Sequence, residues 1–350
     1  MKTQHITLSN NDQLSMISTF STLINAGIPI LETVDSLLED SKGNTKKILE
    51  STRDDLVQGK PLHLCFSKFP EVFGKVTINI IKASEEAGTL DVVLKDLKNQ
   101  VQKDMEFIDK IKSALMYPLI IFVVFLGVLL LILVVVIPKI AVVFSQLKVE
   151  LPLPTKILIF ASNTILHNTL VLLIGLLATG AGIYFLFKFQ KKIVLRFLYS
   201  FPIISTIVKE IDLTRFFRSM YLLLSSGIII TSALQLAEEV VMRKDIAKSI
   251  AYTQESVLAG RRLSDAFKEN RKIFSGIMIR IIEAGEKTGT LDKSMQDMSD
   301  YMDYQVSNML KTLTSLLEPF MLVFMAALVG GMMLSIIAPI YGLISQVGGK

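Results

Sequence analysis

Glu85 and Asp91 flank Gly88 in EEAGTLD, and Glu286 and Asp292 flank Gly289 in EKTGTLD. Carboxylates placed on both sides of a glycine turn can collect a hard cation such as calcium. They can also act as solvated helix caps, and the capping role is the favoured reading. His63 and Cys65 are two residues apart, but a metal site needs more ligands than this pair supplies. The chain holds a single cysteine, so no intramolecular disulfide forms, and Cys65 reads as a buried apolar residue. There is no glycine-rich phosphate loop with its lysine, no nucleophile elbow and no His-Glu metal helix. The chain is therefore expected not to be an enzyme and to carry no cofactor. The run RFFRSM, from Arg215 through Arg218, reads either as a partner-binding surface or as a helix with a mixed face.

The elements around these residues occur twice. At an offset of 201, Gly59, Leu62, Phe66, Phe73, Glu85, Gly88, Leu90 and Asp91 match Gly260, Leu263, Phe267, Phe274, Glu286, Gly289, Leu291 and Asp292. At an offset of 200, LINAGIPI, containing Gly27, matches LLSSGIII, containing Gly227. A duplication with matching folds explains a register held over so many positions. Both copies read as helical, because apolar residues recur at three- and four-residue steps, as at Val93, Leu97 and Val101. Gly88 and Gly289 each follow a helical run and suit the left-handed cap conformation. Thr89 or Thr290 then caps the next helix, Asp91 or Asp292 sits in its first turn, and Leu90 or Leu291 packs the corner. Neither glycine nor proline occurs from Asp91 to Tyr117, or from Asp292 to Glu318. A helix from Asp91 to Ile137 would run about 47 residues, roughly 70 Å, with Pro118 and Pro319 as bends.

Of the 350 residues, 51% are hydrophobic, too many for an ordinary soluble protein. The excess lies in three blocks, Tyr117–Phe144, Asn168–Phe187 and Pro319–Leu343, each long enough to span a bilayer. The N-terminus is polar and shows no signal peptide. The net charge of +5 is dispersed, so nucleic-acid binding is not expected. Lys103, Lys110 and Lys112, then Lys188, Lys191, Lys192 and Arg196, place both soluble segments in the cytoplasm by the positive-inside rule. The expected layout is an all-α polytopic membrane protein with two homologous cytoplasmic helical-bundle domains and three transmembrane helices. Its parts are repeat 1 (1–115), a transmembrane hairpin with a short external loop (116–190, helices about 117–144 and 168–189), repeat 2 (191–315), and a third span with an external tail (316–350). Apart from Lys139 near an end, the blocks carry no carboxylate, lysine or histidine, which disfavours a channel or pump.

In this order the motifs resemble one family: the polytopic platform proteins of type II secretion systems, type IV pili and competence pseudopili. The likeness covers nearly the whole chain. It rests on LINAGIPI and LLSSGIII, the two E-x-x-G-T-L hairpins, Tyr117–Pro118 at the start of the first span, Pro138 at its exit, the LPLPT loop, and Glu318–Pro319 at the start of the last. About ten polar residues precede the first repeat, closer to the shorter competence and Gram-positive-type members. The resemblance implies a multi-pass protein of the plasma (inner) membrane at the base of a pilus or pseudopilus. Its implied partners are a cytoplasmic hexameric assembly ATPase, pilin or pseudopilin subunits, other inner-membrane components, further copies of itself and the lipid bilayer. Hydrolysis would belong to the ATPase. The alternatives are a membrane transporter or a scaffold of an unrelated envelope complex.

Overall fold

The structure, a computed structural model, describes residues 5–147, 153–167 and 202–347, all of whose regular elements are helices. Repeat 1 comprises α1 (Asn10–Asn25), α2 (Ile30–Asp40), α3 (Gly43–Val57), α4 (Leu62–Phe66), α5 (Pro70–Ala87) and the start of α6 (Leu90–Leu131). A π-helical turn, Ile132–Val136, joins α6 to α7 (Ile137–Leu147), and α8 covers Leu153–His167. Repeat 2 follows the same order: α9 (Pro202–Ser225), α10 (Ile230–Glu238), α11 (Lys244–Leu258), α12 (Leu263–Glu269), α13 (Gly276–Thr288) and α14 (Leu291–Val347). The chain divides into two units: Met1–Lys110 with Thr206–Ser307, and Ile111–Ser205 with Asn308–Lys350.

The first unit is built from both repeats around a shared apolar core. Each repeat stacks a pair of phenylalanines at the same place. Phe66 and Phe73 lie 3.8 Å apart at 4°, and Phe267 and Phe274 lie 3.8 Å apart at 9°. Their rings are buried, as are Phe20, Phe216 and Phe217, and such aromatic contacts add to the stabilisation from area burial alone. The copies differ at one bend. α5 is broken at Gly74, with φ 64° and ψ 158°, where repeat 2 has Ser275 just before α13.

The second unit holds the apolar helices. Leu90–Val142 and Leu291–Leu334 each include a stretch long and apolar enough to cross a membrane, and little of either stretch is buried in the protein. Leu119, Phe122, Val123, Phe320 and Val323 are all more than half exposed, an arrangement that a bilayer, not water, stabilises. The expected middle span, 168–189, lies outside the described residues. Helix covers Ser145–Leu147 and resumes at Leu153, so the segment read as a loop is described as helix at both ends.

Prolines in these helices free carbonyls, and hydroxyl groups approach them. The Ile137 amide donates to the Ile132 carbonyl, the wider π spacing. The next bond in that register would need an N–H from Pro138, which has none. The Leu133 carbonyl instead accepts from Ser162 Oγ at 2.6 Å, a buried bond from α8. Pro118 removes the bond that the Ala114 carbonyl would accept, and Thr314 Oγ1 of α14 stands 3.4 Å from that oxygen.

Candidate functional site

The repeated hairpin is built around its glycine. Gly88 adopts φ 71° and ψ 23°, and Gly289 adopts φ 73° and ψ 18°. In this left-handed turn the amide after the glycine reaches back to the helix: Thr89 N to Ser84 O, and Thr290 N to Gly285 O, both at 2.9 Å. The next helices open with Val93 N to Thr89 O at 3.2 Å and Ser294 N to Thr290 O at 3.1 Å. Asp91 and Asp292 lie in their first turns. Leu90 and Leu291 pack half-buried against the core. The Thr290 hydroxyl, expected to cap α14, instead pairs with Thr288 Oγ1 at 2.7 Å. In repeat 2 a second glycine matters for space. A Cβ on Gly285 would fall 2.1 Å from Ser294 Oγ and 2.8 Å from its Cβ, so α13 and α14 meet here with no room for a side chain. Gly27 and Gly227 occupy equivalent turns with φ 83° and 79°.

The glutamates of the motif have a structural task. Glu85 accepts from the amides of Leu62 at 2.6 Å and His63 at 3.1 Å, at the start of α4. Glu286 accepts from Leu263 at 2.5 Å and Ser264 at 3.1 Å, at the start of α12. Each carboxylate thus satisfies orphan amides at a helix N-terminus, where the dipole favours negative charge. His63 Nδ1 adds a 2.6 Å contact to Glu85; repeat 2 has Ser264 at that place. Among the described residues no group of three or more His, Cys, Asp and Glu side chains is arranged to hold a metal. Glu85 and Glu286 are committed to amides, and the Asp91 backbone carbonyl accepts from Asn25 at 3.2 Å. Cys65 is buried, and burial above all pushes its thiol up to about 11, so it is an inert core residue.

The arginine run differs from an exposed partner surface. Arg218 is buried, its side chain 4% exposed, because it faces the inside of the first unit. There Nη1 bonds Asp104 Oδ1 of α6 at 2.6 Å, and Nη2 lies 3.5 Å from Asp303 Oδ1 of α14. The guanidinium also sits over the Phe107 ring, 5.7 Å from its centre. Arg215 is half-buried and lines a groove of about 520 Å³ with Gln13, Gln100, Leu236 and Glu239. Lys75 with Glu239 and Lys103 with Asp300 join the repeats by ion pairs at 2.8 Å. In the second unit Tyr117 Oη stands 3.4 Å from Glu318 Oε1. These residues are repeat equivalents, each preceding its proline, Pro118 or Pro319.

The sequence reading missed Asp104, Phe107 and Asp303, which no motif marks. It also missed the target of the glutamates. A signal existed: Glu85 follows Leu62 by the same interval as Glu286 follows Leu263.

Comparison with known proteins matches the repeat. The family model described as type II secretion system (T2SS), protein F, fits the chain twice, over residues 16–138 and 216–339. The chain belongs to the type II secretion system protein F family. Each match runs from a helical bundle of the first unit into an apolar helix, as the order of motifs implied. Relatives of the family include a type IV pilus assembly protein PilC of Myxococcus xanthus, 26% identical over 96% of this chain and 81% of the relative. A protein of the same name from Thermus thermophilus is 27% identical over 93% and 80%. A type II secretion system protein F of Aeromonas hydrophila is 27% identical over 97% and 88%.

Proposed function

We propose that this chain is the multi-pass platform protein of a type IV pilus, type II secretion or competence pseudopilus machine. The observation that carries this reading is the double family match, each copy joining a soluble bundle to an apolar helix. The relatives' names, which include both pilus assembly and type II secretion proteins, support it. In this role the chain sits in the plasma membrane with three spans, both repeats cytoplasmic and the C-terminus external. The repeats contact a separate hexameric assembly ATPase, and the spans help pass pilin or pseudopilin subunits from the bilayer into the filament. Energy comes from that ATPase, in keeping with a sequence that carries no phosphate loop. Arg215, half-exposed beside the groove, is the part of the arginine run that remains open to a partner.

The test is deletion and complementation, with purified components alongside. Loss of the gene abolishes filaments or secretion and the chain restores them. The purified chain hydrolyses no ATP yet co-purifies with the assembly ATPase. Normal assembly in the deletion strain, or ATP turnover by the chain alone, overturns the reading.

A further inference from the structure

We propose that Arg218 is a joint setting the two long helices against each other within the first unit, with one arm closed and the other open. The closed arm is the 2.6 Å bond from Nη1 to Asp104 on α6, reinforced by Phe107 of the same helix beneath the guanidinium. The open arm is the approach of Nη2 to Asp303 on α14. At 3.5 Å it is an ionic contact without a hydrogen bond. Arg218 Nε and Nη2 are buried and have no hydrogen-bond partner, and neither has Asp303 Oδ1. Nε and Nη2 form the side edge of the guanidinium, the fork that takes a carboxylate with two parallel bonds.

Buried charged donors without hydrogen bonds, one of them 3.5 Å from a buried acceptor that also has none, are costly. A small movement of α14 toward α9 closes the gap and removes the cost. Movement away leaves Asp303 with Lys110, whose Nζ is already 3.9 Å from its second oxygen. Two settings of α14 are thus built into one side chain. Around the joint, Gln100 holds the second oxygen of Asp104 at 3.2 Å and Lys103 pairs with Asp300. These neighbours are mostly exposed pairs that yield easily. The device is one-sided, because repeat 1 has Ser18 where repeat 2 has Arg218. Displacement of one long helix relative to the other therefore acts through repeat 2.

The test uses the full chain in lipid nanodiscs, with Cys65→Ala and spin labels on cysteines replacing Glu106 of α6 and Tyr304 of α14. Both label sites are exposed. The parent is expected to give one or two narrow label–label distances. Arg218→Met is expected to give a distribution roughly twofold wider or more. Arg218→Lys, a point charge without the fork, falls between the two. Where Arg218→Met fails to fold, Asp303→Asn serves, since it leaves the Asp104 bond intact; it too widens the distribution. If either folded variant keeps the parent's distances and only melts earlier, Arg218 is a packing residue and the joint is refuted.

Discussion

Glu286 is the residue whose role changes most once its neighbours are placed. Its carboxylate lies on two amides of a short helix 22 and 23 residues earlier in the chain. Glu286→Ala is expected to cost about 1–2 kcal/mol, read as a lower melting temperature of the detergent-solubilised chain, and Glu286→Gln should recover part of it. An unchanged melt for the alanine variant would show that the amides find other acceptors. A second residue-scale prediction concerns Asp55, buried on α3. Burial pushes its carboxyl up, but hydrogen bonds from Lys60 and Lys68 outweigh that and hold it below the usual range. A carboxylate with a depressed folded pKa stabilises above its unfolded value, and that stabilisation is lost as pH falls through the folded one. Asp55→Asn should therefore melt well below the parent at pH 7. The gap should narrow below about pH 4, and a gap independent of pH would refute the assignment.

At the scale of elements, the long helices depend on hydroxyls where prolines interrupt their own bonds. The Leu133 carbonyl has no amide to meet in the π register before Pro138, and Ser162 of α8 supplies the donor. The bond is buried, so a carbonyl that loses this donor is left unpaired. Ser162→Ala should thus loosen α8 from the π turn by about 1 kcal/mol. Unfolding titrations in mixed micelles would read this as an earlier midpoint. Ser162→Thr, which retains the hydroxyl, should stay nearer the parent. Equal midpoints for alanine and parent would mean the π turn satisfies its carbonyl without α8.

For the molecule as a whole, the charge pattern predicts which way it crosses the membrane. Lysines flank the soluble segments, and the 145–156 stretch between the first two blocks has few basic residues, the bias from which we propose that the repeats face the cytoplasm. In a Cys65→Ala background, a cysteine at Val149 should react with an impermeant reagent added outside intact cells. One replacing Leu258, an exposed side chain on repeat 2, should react only after lysis. The opposite pattern would overturn the proposed orientation, and outside labelling of both would rule out the three-span layout.

The duplication, the helical class and the apolar blocks were legible in the sequence because each is a local or periodic signal. Gly88 and Gly289 announce a left-handed cap from their place after a helical run, and the structure finds both at positive φ. Cys65 read as core and is core. Tertiary structure alone decided what the polar side chains touch. Arg218 looks like a surface cation beside Phe217, yet it is buried because Asp104 and Asp303, each far along the chain, converge on it. Glu85 and Glu286 read as solvated caps beside their own glycine turns until the helices they cap, α4 and α12, are seen to lie beside them. Backbone conformation and hydrophobic periodicity are properties of neighbours in sequence. The partner of a charge is a property of neighbours in space, and only packing of helices, within each repeat and between the two, brings those together.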